Sequence, residues 1–309
     1  MTSEHFPTPT PAELFKIASF NEQKGVWFPP LVQENSLKRL ETFEIREEDL
    51  ILATYPKCGT HWMMEVLELM KHDGNVDKIE RVKNQDLVGC IEFAHPPDFQ
   101  RTVSEALENE PSPRFFSSHL PCHLLPPQVW SKKPKIVYLT RNPKDAALSF
   151  FRFFNSASGD PATHTSWDDF YDKFVSEKAM FGNWFDHTLG YWNHRNDDHV
   201  IFITFEEMKK DLRSVIRRLQ AFLGLTITPE GMERILEHAS LEGMKKTYAK
   251  IEKEHELGRL LTRAGGIMPF LQKGHVGGWK TIFTVAQSER MDKMLEEKLK
   301  GTGLEAHYK

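Results

Sequence analysis

DLILATYPKCGTHWMMEVLELM, residues 49–70, is the stretch that decides the fold. Residues 50–55 form a nearly unbroken apolar run, which predicts a short strand buried on both faces. Pro56 ends the run, a tight loop containing Lys57 and Gly59 follows, and apolar residues then recur at helical spacing through Met70. A strand, a glycine loop and a helix in this order form an anion cradle, because backbone N–H groups and the positive end of the helix dipole point into the loop. The loop is therefore predicted to suit a phosphate or sulfate group.

Three other interpretations of the loop can be compared with its letters. A nucleoside-triphosphate loop has the order G-x-x-x-x-G-K-[ST], whereas Lys57 precedes Gly59 here and no glycine lies upstream in this stretch. A thiol phosphatase would use Cys58 as its nucleophile with an arginine about six positions further on, but that position is Met64. Taken alone, the loop favours a plain strand–turn–helix connection with a surface lysine, so the rest of the chain has to decide.

Composition and charge exclude several broad classes of protein. The 309 residues are 39% hydrophobic, enough for a sizeable core, and the net charge of −4 implies no general affinity for nucleic acid. The three cysteines are too few for a disulfide framework and indicate a reducing compartment. No apolar run approaches the roughly 20 residues of a membrane helix, and the first residues lack the basic and apolar regions of a signal peptide. We therefore expect a cytoplasmic protein with no nucleic-acid or membrane partner and a loose N-terminal segment at residues 1–15.

The rest of the chain alternates strands with helices. Further strands are predicted at residues 114–119, 135–141 and 199–205. Helices are predicted at residues 34–42, 104–109, 144–155, 166–176, 182–195, 206–223 and 229–238 and from residue 283 onward. This alternation predicts one α/β domain, residues 1–309, with a central parallel β-sheet flanked by helices. Ligands of such sheets bind beyond the carboxyl ends of the strands, where His119, Arg141 and the loop with Lys57 are expected.

A long glycine-rich stretch, residues 262–280, interrupts this alternation near the end of the chain. It shows no strand or helix periodicity and contains five glycines together with Lys273 and His275. A loop of this length in a compact domain is usually functional or disordered.

Several segments in this order resemble the cytosolic sulfotransferases, over nearly the whole chain. These enzymes move a sulfuryl group from 3′-phosphoadenosine 5′-phosphosulfate (PAPS) to an acceptor hydroxyl or amine and release 3′-phosphoadenosine 5′-phosphate (PAP). The segments are TYPKCGTHW at residues 54–62, SSHLP at 117–121, RNPKDAALSFFRF at 141–153, FITFEEMKKD at 202–211, FLQKGHVGGWK at 270–280 and TVAQSERMD at 284–292. Each is weak alone, but their order and spacing together identify the chain as a member of the family.

The resemblance implies a role for each matching residue. His119 is the expected catalytic base, and Lys57 is expected to stabilise the leaving group. The expected donor-binding residues are Lys57, Cys58, Gly59, Thr60, His61, Trp62, Arg141, Ser149, Phe205, Ser240, Phe270, Leu271, Gln272, Lys273 and Gly274. Within that set Trp62 would stack on the adenine, while Arg141 and Ser149 would bind the 3′-phosphate. Lys280, Thr284, Val285 and Glu289 match the family's dimer signature, K-x-x-x-T-V-x-x-x-E, which implies a homodimer.

The expected chemistry agrees with these residue types. Sulfuryl transfer, like phosphoryl transfer, should pass through a loose in-line transition state that positioning and charge stabilise. A histidine, with an ordinary pKa of about 6.5, suits removal of the acceptor proton near neutral pH. A sulfuryl group carries less charge than a phosphoryl group, so no metal is expected. A zinc site at His119, Cys122 and His123 is disfavoured because Pro121 breaks any helix there and no fourth ligand follows.

Five positions depart from the family pattern. Cys58 stands where serine is usual, His61 for threonine, and Ser117 where a lysine usually helps to hold the transferring group. Gln272 replaces an arginine that grips the 3′-phosphate, and Phe205 replaces a tyrosine that meets the adenine. The loss of a bidentate charged contact at Gln272 is expected to affect donor affinity most.

The acceptor is expected to be a small, apolar phenol, alcohol, sterol or amine, and the sequence does not select among them. Phe28, Phe93 and Phe153 are the candidates to line its pocket. Two other functions are carried as alternatives, namely a non-catalytic nucleotide-binding protein on the same fold and an ATP-dependent kinase.

Overall fold

Four parallel strands form the central sheet of the protein. The computed structural model describes residues 21–79, 90–94, 101–158, 164–254 and 274–308. We number as β3 to β6 the strands Leu50–Thr54, Phe115–Ser118, Lys135–Thr140 and Val200–Thr204. Their order across the sheet is β4–β3–β5–β6, and every neighbouring pair is parallel. A separate antiparallel hairpin precedes them, with β1 at Asn21–Gln23 and β2 at Val26–Phe28.

Helices connect the strands and cover both faces of the sheet. In chain order α1 to α6 are Glu34–Leu40, Thr60–Lys71, Val103–Glu108, Val129–Lys132, Pro143–Ser158 and Trp167–Phe174. The remaining helices, α7 to α12, are Trp184–Trp192, Phe205–Lys210, Leu212–Leu223, Pro229–His238, Leu241–Glu254 and Val285–Leu299. Short 3₁₀ turns lie at Val76–Lys78, Cys122–Leu124, Gly278–Thr281 and Leu304–His307.

The two faces of each strand supply different parts of the core, because successive side chains of a strand point to opposite sides. On β3, Leu52 packs with apolar residues of α2, α9 and α10, whereas Ile51 and Ala53 pack on the other face with Phe28 and Phe116. A third apolar cluster joins α5, α6, α7 and α12. This double burial explains the near-continuous apolar strands of the sequence and confirms the predicted fold class, an α/β fold with a parallel sheet flanked by helices.

Two parts of the second half differ from the sequence prediction. The helix predicted at residues 206–223 is two helices, since Asp211 adopts φ −155° and ψ 83° and its carboxylate accepts the N–H of Ser214, 3.0 Å away, as the cap of α9. Phe205, predicted to end a strand, begins α8 instead, because Thr204 and Glu207 form a capping box there. Leu241–Glu254, where no regular element was predicted, is a helix.

A buried ion pair joins the amino ends of β3 and β4. Arg114 Nε and Nη2 donate to the two carboxylate oxygens of Asp49 at 2.8 and 2.5 Å, and both side chains are almost fully buried. Nη2 also donates to the carbonyl of Glu44 at 2.7 Å. This end of the sheet is therefore closed by charge-assisted hydrogen bonds, and the opposite, carboxyl end remains for ligands.

Candidate active site

The loop after β3 has the backbone shape of an anion cradle. Lys57 has φ 68° and Gly59 φ 110°, both in the left-handed region. Glycine is required at position 59, because a Cβ there would lie 2.8 Å from Cδ2 of Phe205. Gly59 is the N-cap of α2 and has no side chain that could take the first N–H groups of the helix. The positive end of α2 could therefore stabilise an anion bound at the loop.

Two cations line this loop. Lys57 Nζ lies 4.2 Å from the centre of the Phe153 ring. Arg141 follows β5, donates to the carbonyls of Lys57 and His275 at 3.3 Å each, and lies with its guanidinium 4.3 Å from the Phe205 ring. Its Nε is buried without a hydrogen-bond partner among the described residues. Burial, and then the charge of Arg141, lower the pKa of Lys57 to about 7, so this pair suits a ligand that brings negative charge.

His119 follows β4 at the same edge of the sheet. Its Nδ1 lies 2.9 Å from the main-chain oxygen of Thr54 and 3.0 Å from Thr54 Oγ1. A carbonyl can only accept, so Nδ1 carries the proton and Nε2 keeps its lone pair. Burial is the main reason that the pKa of His119 falls to about 4, which leaves the imidazole neutral, and able to accept a proton, at pH 7.

His119, Lys57 and His61 lie within electrostatic range of one another. The charge of Lys57 contributes to the lowered pKa of His119. Burial, then Lys57, then His119 lower the pKa of His61 to about 3. Thr60 connects the groups further, since its Oγ1 lies 2.8 Å from Oγ1 of Thr54, the residue that holds His119. The structure thus brings the expected base and the expected lysine to one side of the sheet.

A second group of expected donor residues gathers around Trp62. Trp62 Nε1 donates to the carbonyl of Ala239 at 2.9 Å, and its ring meets Phe205 edge to face at 5.5 Å. Ser240, next to Ala239, is exposed and accepts the N–H of Gly243 at 3.0 Å. Trp62, Phe205 and Ser240 therefore border one region beside the loop.

Helix α5 holds the segment that follows the glycine-rich stretch. Asp145, almost fully buried, accepts the N–H groups of Gly277 at 2.7 Å and Trp279 at 2.9 Å. Ser149 lies one turn further along the same helix and is half-buried. Gly274 is described as part of this segment, whereas Phe270, Leu271, Gln272 and Lys273 lie outside the described residues, so their roles stay predictions.

Several predicted site residues are less exposed than expected. The Cys58 side chain is fully buried in the core cluster of α5 to α7, and its N–H donates to Tyr55 O at 3.3 Å. Ser117 is also fully buried, with Oγ 3.3 Å from Cys90 Sγ. Phe28 is a core residue with 0% exposure. The expected ligand contacts of Cys58 and Phe28 stay predictions, as does the effect of the serine at position 117, and the structure gives all three side chains packing roles.

The residues beside His119 include an aromatic that sequence patterns did not single out. Phe181, at φ 61°, has its ring 5.5 Å from the imidazole of His119. It also contacts Phe28 at 5.4 Å and Phe93 at 6.5 Å, while Phe93 itself lies 6.4 Å from His119. Its place before Gly182, in an irregular segment, was the available signal.

Two buried titratable residues behind His119 were also missed. Glu92 accepts the His119 N–H at 2.7 Å, and burial raises its pKa to about 7. His187 Nε2 lies 3.0 Å from the His119 carbonyl, and burial lowers its pKa to about 3. A charged residue inside an apolar segment and a histidine inside an aromatic helix were the only signals in the sequence.

The described ranges also bear on metals and membranes. No group of three or more His, Cys, Asp and Glu side chains in these ranges could hold a metal ion. Among the helices of the same ranges, none combines the length and the apolarity that a membrane span requires.

The fold and the site suit a group-transfer enzyme, because the anion cradle with its two cations lies near a neutral histidine that can accept a proton. Residues 47–303 match the family model for the sulfotransferase domain. The chain therefore belongs to the sulfotransferase family, as its motifs predicted.

Individual sulfotransferases are similar to this protein over most of its chain. Human sulfotransferase 1C2 is 32% identical over 295 residues, covering 95% of this chain and 97% of the relative. Rabbit amine sulfotransferase is 39% identical over 274 residues, covering 87% of each. The crystal structure of mouse sulfotransferase SULT7A1 complexed with PAP superposes with a TM-score of 0.76 at 32% identity, covering 94% of this chain and 99% of that one. The protein is a sulfotransferase enzyme, and the kinase and non-catalytic alternatives are not favoured.

Proposed function

We propose that this PAPS-dependent sulfotransferase uses His119 as its general base and Lys57 to stabilise the departing PAP. The observation that carries the assignment is the bond from His119 Nδ1 to the Thr54 carbonyl at 2.9 Å. It fixes the tautomer, leaves Nε2 as the acceptor, and ties the imidazole to the strand that leads into the Lys57 loop.

The proposed reaction balances with these two residues. The acceptor oxygen or nitrogen forms a bond to sulfur while the bond from sulfur to the phosphate oxygen breaks, and the acceptor proton passes to His119 Nε2. Lys57 and the N-terminus of α2 stabilise the negative charge that grows on the leaving oxygen. The lowered pKa of Lys57, about 7, supports this role, because burial and the charge of Arg141 destabilise the ammonium and an arriving anion would stabilise it.

Donor binding is assigned to the loop and its neighbours. Arg141, with a buried Nε lacking a partner among the described residues, and Ser149 are proposed for the 3′-phosphate. Trp62, Phe205 and Ser240 are proposed for the adenosine. Residues 57–62 hold the phosphosulfate mainly through their backbone, since the thiol of Cys58 is buried in the core. His61, at the start of α2, lies within electrostatic range of Lys57 and is proposed to border the same group.

Small molecules with an apolar body are the proposed acceptors. Phe93 and Phe181 lie beside His119, so an aromatic or aliphatic body can pack there while its polar atom meets Nε2. Phe153 lies against Lys57 and would border the reacting group. Phenols, alcohols, sterols and amines all fit this description, and the similarity to rabbit amine sulfotransferase makes amines the first class to test.

We further propose a cytoplasmic homodimer. Val285 is 75% exposed and Val276 54% exposed, and no other large hydrophobic residue among those described is exposed. Val285 lies beside the cap residue Thr284, and Lys280 and Glu289 are exposed around it, so the signature is available to a second copy. The three cysteines are free, in keeping with a reducing compartment.

The test compares turnover with donor binding. His119→Ala should abolish sulfate transfer from radiolabelled PAPS across a panel of phenols, alcohols, sterols and amines, while PAP binds as in the wild type. Lys57→Met should reduce both. If His119→Ala retained turnover, or lost PAP binding in parallel with turnover, the base assignment would be wrong.

A further inference from the structure

The main chain of His119 is held from both sides by buried side chains. Its N–H donates to Glu92 Oε1 at 2.7 Å, and its carbonyl accepts from His187 Nε2 at 3.0 Å. Glu92 lies two residues after Cys90, which forms a β-bridge with Ser117, and His187 lies in α7. Two separate parts of the chain thus bind the two peptide groups that flank the His119 Cα.

Each of these side chains is itself fixed. Glu92 is fully buried, and its second oxygen accepts Ser118 Oγ at 3.0 Å. His187 faces a carbonyl with Nε2, so that nitrogen carries the proton and Nδ1 accepts the Tyr138 hydroxyl at 2.9 Å. Tyr138 is fully buried in the central strand β5. The hold on His119 therefore reaches back to the rigid part of the sheet.

This arrangement is unusual for a purely structural carboxylate. Asp49, the buried carboxylate at the other end of the sheet, is neutralised by Arg114 at 2.5 Å. Glu92, by contrast, accepts hydrogen bonds from the N–H of His119 and the hydroxyl of Ser118. Burying a carboxyl group is costly, and here burial raises the pKa of Glu92 to about 7, so the side chain supplies His119 with acceptor oxygens in fixed positions rather than with a full charge. A costly group of this kind beside the reacting centre points to a functional reason for keeping it.

We propose that Glu92 and His187 are positioning residues, which hold the His119 peptide so that Nε2 stays aligned with the acceptor atom. The proposal rests on the proposed role of His119 as base. Thr54 fixes the ring, so His119 as a whole is held at three points: its backbone N–H, its backbone carbonyl and its Nδ1. A displacement of about 1 Å at a reacting centre can cost on the order of 100-fold in rate.

Paired substitutions separate the position of a polar atom from its mere presence. Glu92→Gln keeps an acceptor at the place of Oε1, whereas Glu92→Asp keeps the carboxyl group and withdraws it by one methylene. His187→Gln keeps a donor at the place of Nε2, which meets the His119 carbonyl. In His187→Asn the amide reaches only to the place of Nδ1, so that donor is lost. Asp49→Asn is the matched control, a buried carboxylate changed at the far end of the sheet.

Three readouts are measured for every variant. They are kcat at saturating PAPS and acceptor, referred to the number of PAP-binding molecules; the Kd for PAP; and the nitrogen-15 shifts of His119, which report its tautomer. We expect the two glutamine variants to keep kcat within about fivefold of the wild type. The aspartate and asparagine variants should lose about 100-fold in kcat, with an unchanged Kd and a mixture of His119 tautomers. Asp49→Asn should lower the melting temperature and leave kcat per PAP-binding molecule unchanged.

Three outcomes would overturn the proposal: wild-type kcat in the aspartate and asparagine variants, equal losses in both members of a pair, or losses that follow PAP affinity. His119→Ala, measured alongside, separates this result from the function itself. If His119→Ala is inactive and all four variants are active, only the positioning role fails. If His119→Ala is active, the base assignment fails.

Discussion

Binding of PAP should become weaker as the pH rises above neutrality, because Lys57 must be charged to bind it. Its pKa is lowered from the ordinary 10.5 to about 7, first by burial and then by Arg141. The difference corresponds to about 5 kcal/mol of lost stabilisation for the ammonium. An anionic ligand restores much of this, so the pKa of Lys57 is higher in the complex than in the free protein.

The direction and the size of this change in PAP affinity follow from the linkage between binding and protonation. Binding takes up a proton wherever the free lysine is neutral and the bound lysine is charged, that is, from about pH 7 up to the higher pKa of the complex. At pH 7 about half of the free protein has a charged Lys57, and at pH 9 about 1%, so PAP affinity should fall about 50-fold between these values. Phosphate monoesters have their second pKa near about 6, so the charge of the ligand is nearly complete over this range.

Titration calorimetry in buffers of different ionisation enthalpy measures both the affinity for PAP and the number of protons taken up on binding. We expect uptake of about half a proton at pH 7, rising towards one at pH 8.5. Lys57→Arg, which stays charged at all these pH values, should flatten the profile. His61→Gln should not, because the pKa of His61 is already about 3. An affinity that is constant from pH 7 to 9, with no proton uptake, would refute the reasoning.

Three further substitutions test other parts of the site. Gly59→Ala should abolish PAP binding and lower the free energy of unfolding by about 1–3 kcal/mol, because the new Cβ would lie 2.8 Å from the Phe205 ring at φ 110°. Denaturant titration measures the loss of stability, and wild-type binding and stability would contradict the proposed anion cradle. Asp145→Ala should weaken PAP binding about 10- to 100-fold and leave acceptor KM unchanged, since it releases the N–H groups of Gly277 and Trp279; equal PAP affinity in a fluorescence titration would show that this segment does not need the anchor. Val285→Glu should give monomers in sedimentation velocity with kcat retained, because a glutamate at this exposed position would place a charge in the proposed dimer interface. A dimer that persists would show that the interface lies elsewhere.

The sheet could be predicted from sequence because its strands are buried on both faces. Strands β3 and β5 are near-continuous apolar runs, and each lies within a residue of its predicted range. The carboxyl ends of β3, β5 and β4 then located Lys57, Arg141 and His119, since parallel strands end at one edge. The helices were harder wherever a polar residue has two uses: Asp211 fits a helix by composition, but its carboxylate caps the next helix instead.

The supporting residues of the site could not be found in this way. Glu92 acts through a hydrogen bond to a main-chain group 27 positions away, and His187 through one 68 positions away. No periodicity encodes such contacts, because they depend on how distant segments pack. The same limit applies to Cys58, whose letter sits inside a binding motif although its thiol points into the core.

The Asp49–Arg114 pair separates two demands on one sheet. It secures the rim where β3 and β4 begin, and the proposed site for donor and acceptor lies at the rim where they end. A substitution at Lys57 or His119 should therefore leave the anchored rim in place, because the ion pair lies where β3 and β4 begin.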